Sequence, residues 1–457
     1  MNLERVLGRG DLVLFSVSAI LTIDTLASAA STGVSWFSWW AIIMIFFFLP
    51  YGLITAELGA AWPGEGGLHV WVREGLGPRW GSMASWLYWI NMVYWIPPVY
   101  LVFAGVFDGM FVESGDVRIQ TAIAILLTWL TVLLGLVRLK VSKWIPNLGA
   151  IVKVSIFVGL GGLGLGALAT GRPPANEFSL SKMLPQWSDT VAYVPVLLYN
   201  ALGFELMSSA GSEMREPQRD VPRVILLSGL AIMIVYSLGT LGLHLAVPLE
   251  KLSIVTGTWD ALETLGLQWG GAGQTLVFLL GVGFLYACVA NIVTWSLGAN
   301  RVAATAAEEG LLPKALSKLH PRFQTPYVAF AMMGLVSTAL LVGNALLSSN
   351  TVNVFWMSFK LSGVCFLLSY LLMFPSFLAL RYRAASTPRP YRMPGGLSVA
   401  WAATIVCWVF VAGASLLFFA PSPTSDDPAL ETWILAGETG LTILAGWLLI
   451  PGGAGQR

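Results

Sequence analysis

The chain has 457 residues, 56% of them hydrophobic and only 11% charged, against roughly 25% charged in an ordinary soluble domain. With a formal net charge of +1, so little charge on so long a chain excludes a cytosolic enzyme, a nucleic-acid binder and a disordered chain. What remains is a polytopic membrane protein, and the pattern of its apolar runs, below, makes the expected fold all-α.

A bilayer core of about 30 Å takes roughly 20 apolar residues per helix. In chain order, twelve transmembrane helices are predicted: 11–33, 36–59, 80–112, 119–138, 144–170, 188–213, 223–247, 271–301, 326–347, 351–380, 398–420 and 432–450. The start, MNLERVLGRGD, has no small-residue cleavage site, so the first apolar run is expected to be a span rather than a leader. Continuous rather than alternating apolar runs argue against a closed barrel. With the N-terminus in the cytoplasm, cytoplasmic segments hold 19 of the 25 Lys and Arg residues and the outside holds four. The other two, Lys153 and Lys360, sit within spans. This bias predicts cytoplasmic N- and C-termini and an even number of spans; the plasma membrane is the expected location.

Two spans break their apolar pattern. The first does so at Thr22-Ile23-Asp24-Thr25, followed by Ser28, Ser31, Thr32 and Gly33. The sixth does so at Asn200-Ala201-Leu202-Gly203-Phe204-Glu205, then Ser208, Ser209 and Gly211. Unwound backbone at membrane depth must face protein or a water-filled cavity. Interrupted helices at matching positions of two halves mark a transporter's midplane site. Residues 1–170 and 171–380 are therefore expected to form two inverted repeats of five spans, with two further spans in 381–457. Small and hydroxyl residues at ordinary helix contacts are the competing reading.

Three stretches carry a family resemblance. One is Ala56-Glu57-Leu58 with Pro63, Gly66-Gly67 and WVREGLGPRWG; another is Gly203-Phe204-Glu205 with Glu213-Met214, Pro217 and Arg219-Asp220-Val221-Pro222. The third is Arg301 with AATAAEEGLLPKALSKLHPRFQTPYVA. Together they resemble the amino acid–polyamine–organocation superfamily of permeases, and the first-span region is most similar to the glutamate/GABA antiporter group. The resemblance implies a LeuT-type five-plus-five fold with broken helices 1 and 6 and alternating access. It implies that Glu205 is linked to substrate and pH response, that Tyr199 caps the substrate and that Trp295 is a gate. It also implies that Lys153 takes the place of a sodium ion. Many members wrap the substrate carboxylate in a Gly-rich first break, whereas this chain has TIDTLAS. That departure bears against a standard amino acid as solute.

The expected substrate site is Ile23, Asp24, Thr25, Ser28, Tyr199, Asn200, Gly203 and Glu205, with gating by Tyr199 and Trp295. An acid in mid-membrane costs at least about 2.5–3.5 kcal/mol, tolerable if a cation meets it. Asp24 is thus read as the counter-ion of an amine. The alternatives are a cap on the second half-helix or a pair with Lys153. Glu205 is read either as a carboxyl that changes protonation or as an acceptor for unwound backbone. Lys153 is read as a fixed charge in a sodium-independent carrier, as a proton shuttle, or as a lysine snorkelling toward Lys143. Lys360 faces an aqueous path or pairs with an acid. Asp108 and Glu438 are expected to be solvated near the outer interface, and Glu57 to be structural. Trp36, Trp39, Trp40, Trp80 and Trp144 are expected to be interfacial anchors. For the aromatic third span (Trp86, Tyr88, Trp89, Tyr94, Trp95), an interfacial or packing role is the default, and lining the cavity and stacking on a cation is the alternative.

The function expected is secondary transport of small amine-bearing solutes (amino acids, decarboxylated amines or polyamines) by proton coupling or exchange. The alternatives are a glutamate/GABA-type antiporter and a transport-dead amino acid sensor. A membrane enzyme lacks its motifs: His69, His244 and His320 lie far apart, and no HExxH, GxSxG or P-loop occurs. A channel lacks a repeated selectivity loop. No cofactor, metal, nucleic acid or disulfide-linked partner subunit is expected, and a monomer or a homodimer both fit. Cys288, Cys365 and Cys407 all lie in apolar runs.

Overall fold

The computed structural model describes residues 20–62, 67–136, 144–187, 189–205, 217–348, 350–422, 425 and 427–450. The described residues contain helices and connections and no strands. A short first helix, α1 (Leu26–Ala30), is followed by α2 (Trp36–Ala61), α3 (Leu68–Leu76), α4 (Pro78–Phe111), α5 (Val117–Leu136) and α6 (Trp144–Ala169). Next come α7 (Val194–Tyr199), α8 (Pro217–Ala246), α9 (Gly257–Gly266) and α10 (Gly270–Glu308). The chain closes with α11 (Tyr327–Leu347), α12 (Thr351–Arg383), α13 (Gly396–Leu417) and α14 (Pro428–Leu449).

Among the described residues, ten helices are long and apolar enough to cross a membrane, α9 and α10 counting as one continuous stretch. Nine of them match predicted spans to within a few residues, the tenth, Gly257–Glu308, extends beyond the predicted 271–301 at both ends, and the protein is a multi-pass membrane protein. The other two predicted spans are the interrupted ones. Residues 11–19, 188 and 206–213 of those predictions, including Ser208, Ser209 and Gly211, lie outside the described residues.

The long helices α4 and α12 pack along each other and are the most buried; α11, α13 and α14 are the most outward-facing. Hydrophobic burial does not discriminate between lipid and protein here, so helix contacts rely on close packing. The α6–α8 crossing illustrates it. A Cβ on Gly242 would run into the Leu160 carbonyl oxygen, and one on Gly161 would stand 2.7 Å from that of Leu238. α8 also packs on α1, and α7 packs on α1, α12 and α13, so both short helices are enclosed by long ones.

α4 runs through Pro97 and Pro98 without a break. Asp108, expected to be solvated, is instead buried. It accepts from the Ser114 and Gly115 N–H groups (3.2 and 2.8 Å), Ser114 Oγ (2.7 Å) and Gln120 Nε2 (3.1 Å). Its carboxylate thereby closes the α4–α5 turn; the donors come from the turn itself, which hydropathy does not reveal. Trp36 and Trp40 are likewise buried rather than interfacial, because they stack on each other and Trp40 leans on Tyr236 of α8. Trp80 is exposed, and the Trp144 side chain lies outside the described residues.

Candidate functional site

The backbone leaves helical geometry at residues 21–25, before α1, and at residues 200–204, after α7. A non-helical backbone leaves N–H and C=O groups that must find partners away from water. At the first break Tyr236 supplies both: its hydroxyl accepts from the Thr22 N–H (2.9 Å) and donates to the Thr22 carbonyl (3.1 Å). At the second, the Tyr51 hydroxyl accepts from the N–H groups of Gly203 (3.2 Å) and Phe204 (3.0 Å). Gly203 has φ +122° and a built Cβ would lie 3.0 Å from Ile20. Glycine is needed there for its backbone angle.

The two breaks touch. Thr25 Oγ1 donates to Asn200 Oδ1 at 2.8 Å and Thr22 Oγ1 donates to the same oxygen at 3.1 Å. Beside this contact sits Asp24, 1% exposed. Trp95 Nε1 donates to its Oδ2 at 3.2 Å. Apart from its own nearby backbone N–H, Asp24 Oδ1 has no hydrogen-bond partner among the described residues, and neither has Asn200 Nδ2. Lys153, also 1% exposed, donates to Asn291 Oδ1 at 2.8 Å and interacts electrostatically with Asp24. Its ammonium is inside the bundle, so the snorkelling reading does not apply. Ile23 is buried within the break.

Trp295 packs edge-on to Trp95 at 5.8 Å, so the predicted gate residue stands one ring away from Asp24. Tyr199 lies in the field of Asp24 from the other break and packs on Phe359 (5.2 Å) and Phe366 (5.3 Å). Ser28 stands apart, its hydroxyl directed at the Ile254 carbonyl, 3.4 Å away.

Glu205 forms a second cluster. It is 2% exposed and accepts from Tyr51 (2.8 Å) and Tyr88 (3.0 Å), with Tyr370 close enough to feel its charge. Three tyrosines from α2, α4 and α12 thus converge on one carboxylate. Tyr88 and Trp95 therefore face the two acids, against the packing default for the third span. Tyr51 and Tyr236 escaped sequence reasoning; each is a lone tyrosine in an apolar run, with no local signal of what it meets.

Two more ion clusters lie outside these breaks. Glu57 is met by Arg381 through two bonds (Nε 3.0 Å, Nη2 2.5 Å), by Arg389 at 3.2 Å and by the Met393 N–H at 2.8 Å. Lys360 pairs with Glu431 at 2.5 Å. Among the described residues no group of His, Cys, Asp or Glu is arranged to hold a metal ion, and the three cysteines are buried and free.

Fold and site define a multi-pass membrane protein in which two non-helical segments, 21–25 and 200–204, meet among buried polar side chains. Residues 7–444 match the family model described as "Amino acid permease", so the chain belongs to that family. It is a transporter and not an enzyme. It is 34% identical to a probable agmatine/putrescine antiporter of Lactococcus lactis subsp. lactis, covering 84% of this chain and 81% of the relative. A glutamate/gamma-aminobutyrate antiporter of the same organism is 25% identical, with 77% and 71% covered. A probable polyamine transporter of Arabidopsis thaliana is 24% identical, with 76% and 66% covered.

Proposed function

We propose that this chain is an alternating-access carrier of small amine-bearing solutes, decarboxylated amines and polyamines before amino acids, and that the solute's ammonium group binds at Asp24. The observation that carries the reading is the buried Asp24 Oδ1, which has no donor beyond its own nearby backbone N–H, at a break in the helix. A charged acceptor in a low-dielectric site gains most from a cationic donor. Asn200 Nδ2, unpartnered on the facing break, supplies a donor for a second polar group. Relatives named for agmatine, putrescine and polyamines support an amine.

The finer plan is twelve spans with both termini cytoplasmic in the plasma membrane. Two inverted repeats (1–170 and 171–380) precede the last two spans. The span 1 and 6 pair rocks against the remainder, with Tyr199 and Trp295 closing over the solute. Lys153 occupies the place of a coupling cation, and transport is sodium-independent. Exchange of one solute for another is the coupling that the antiporter names favour. Glu205, held by its tyrosines, senses solute and protons.

A thermal-shift panel on purified protein tests the substrate class. Putrescine and agmatine raise the melting temperature progressively with the logarithm of their concentration above Kd, as binding to the native state requires, and glutamate and GABA do not. Stabilisation by glutamate alone contradicts the reading.

A further inference from the structure

Lys360 and Glu431 take no part in the site above, yet both are buried and charged within the bundle. Lys360 Nζ donates to Glu431 Oε1 and to the Ala420 carbonyl, each at 2.5 Å. Glu431 also accepts from the Ser422 N–H at 3.2–3.3 Å. One lysine on α12 therefore fastens the start of α14 and the α13–α14 connection.

The same cluster reaches the short half-helix. Tyr193, just before α7, shares a hydrogen bond with Ser422 and lies in the field of Glu431. Its ring packs on Trp356 at 5.1 Å. Phe359, next to Lys360 in sequence, packs on Tyr199 at the far end of α7 and on Phe418 at 6.0 Å. Trp356 also lies under the Lys360 ammonium, 5.7 Å from its ring centre. Both ends of the α7 arm thus rest on aromatic side chains of α12 that neighbour the ion pair: Trp356 lies under the Lys360 ammonium and Phe359 precedes Lys360 in the chain.

We propose that the Lys360–Glu431 pair is a latch that positions Trp356 and Phe359 against the α7 arm and so sets the balance between docked and released states of that half-helix. This rests on the alternating-access reading, in which α7 moves and this end of the bundle faces outside. Lys360 and Glu431 are positioning residues: they act through the aromatic side chains and the Tyr193–Ser422 bond. A buried pair is suited to such a role, since its removal can leave stability nearly unchanged while altering which packing is preferred.

The test is hydrogen–deuterium exchange on the full chain in lipid nanodiscs, comparing wild type with Lys360→Met/Glu431→Leu. The double replacement leaves no charge buried alone, which Lys360→Met by itself would do. The latch predicts exchange in residues 189–199 faster by about fivefold or more, the scale of a typical coupling between elements, with residues 432–449 of α14 close to wild type. Unchanged exchange in 189–199 overturns the proposal, including the case in which α14 alone loosens and the pair only anchors that helix. No solute enters the measurement, so failure of the amine assignment leaves this result standing, and the converse holds.

Discussion

Asp24 and Glu205 are two buried carboxylates treated in opposite ways. Glu205 is surrounded by tyrosine donors, while Asp24 keeps one oxygen without an external donor. A hydrogen bond to a charged group is worth about 1.5–3 kcal/mol, so Asp24→Asn is expected to raise the KM for an amine by about 10- to 150-fold, read by uptake into proteoliposomes. An unchanged KM removes the counter-ion role. Tyr51 serves three partners at once: two N–H groups and Glu205 Oε2. Tyr51→Phe strands them, at about 1–3 kcal/mol for a stranded buried group. A lower melting temperature together with a shifted pH profile of uptake is the expected outcome; a variant as stable as wild type contradicts this account of the second break.

At the scale of elements, each non-helical segment is held by a tyrosine from a neighbouring long helix, and the two segments are joined through Asn200. The position of the breaks was legible in the chain, since an acid among small and hydroxyl residues interrupts an otherwise apolar run. The long helices were legible for the complementary reason: hydropathy over about 20 residues is a local property. The partners were not legible. Tyr51 and Glu205 are 154 positions apart and Arg381 and Glu57 are 324 apart, and no period or spacing encodes such a pairing. For the same reason Trp36 and Trp40 read as interfacial although they pack inside, and the sequence names no partner for Lys360, whose acid comes from α14 packed beside α12. Gly203 belongs at this scale too. With φ +122° and Ile20 close by, Gly203→Ala forces the break out of register. A clear loss of thermal stability is expected, whereas Gly162→Ala, with open space around its Cβ position, should be neutral.

Across the whole molecule, buried ion pairs tie distant segments: α2 to α12 through Glu57 and Arg381, and α12 to α14 through Lys360 and Glu431. Breaking one member of such a pair leaves a charge uncompensated, at about 3–5 kcal/mol. Arg381→Met removes two of the bonds to Glu57 but leaves it Arg389 and the Met393 N–H, so the variant should melt below wild type by less than that full cost, even though it lies far from Asp24 in sequence. Global coupling is tested in the same spirit: with Lys153 inside the bundle beside Asp24, an imposed sodium gradient should not drive accumulation. The most direct measurement of the central claim is counterflow in proteoliposomes loaded with putrescine, using labelled putrescine outside. Wild type is predicted to exchange the label rapidly with or without sodium, and Asp24→Asn, shown to be folded by its melting curve, to lose that exchange at low solute concentration. Equal exchange by the two proteins would contradict the account.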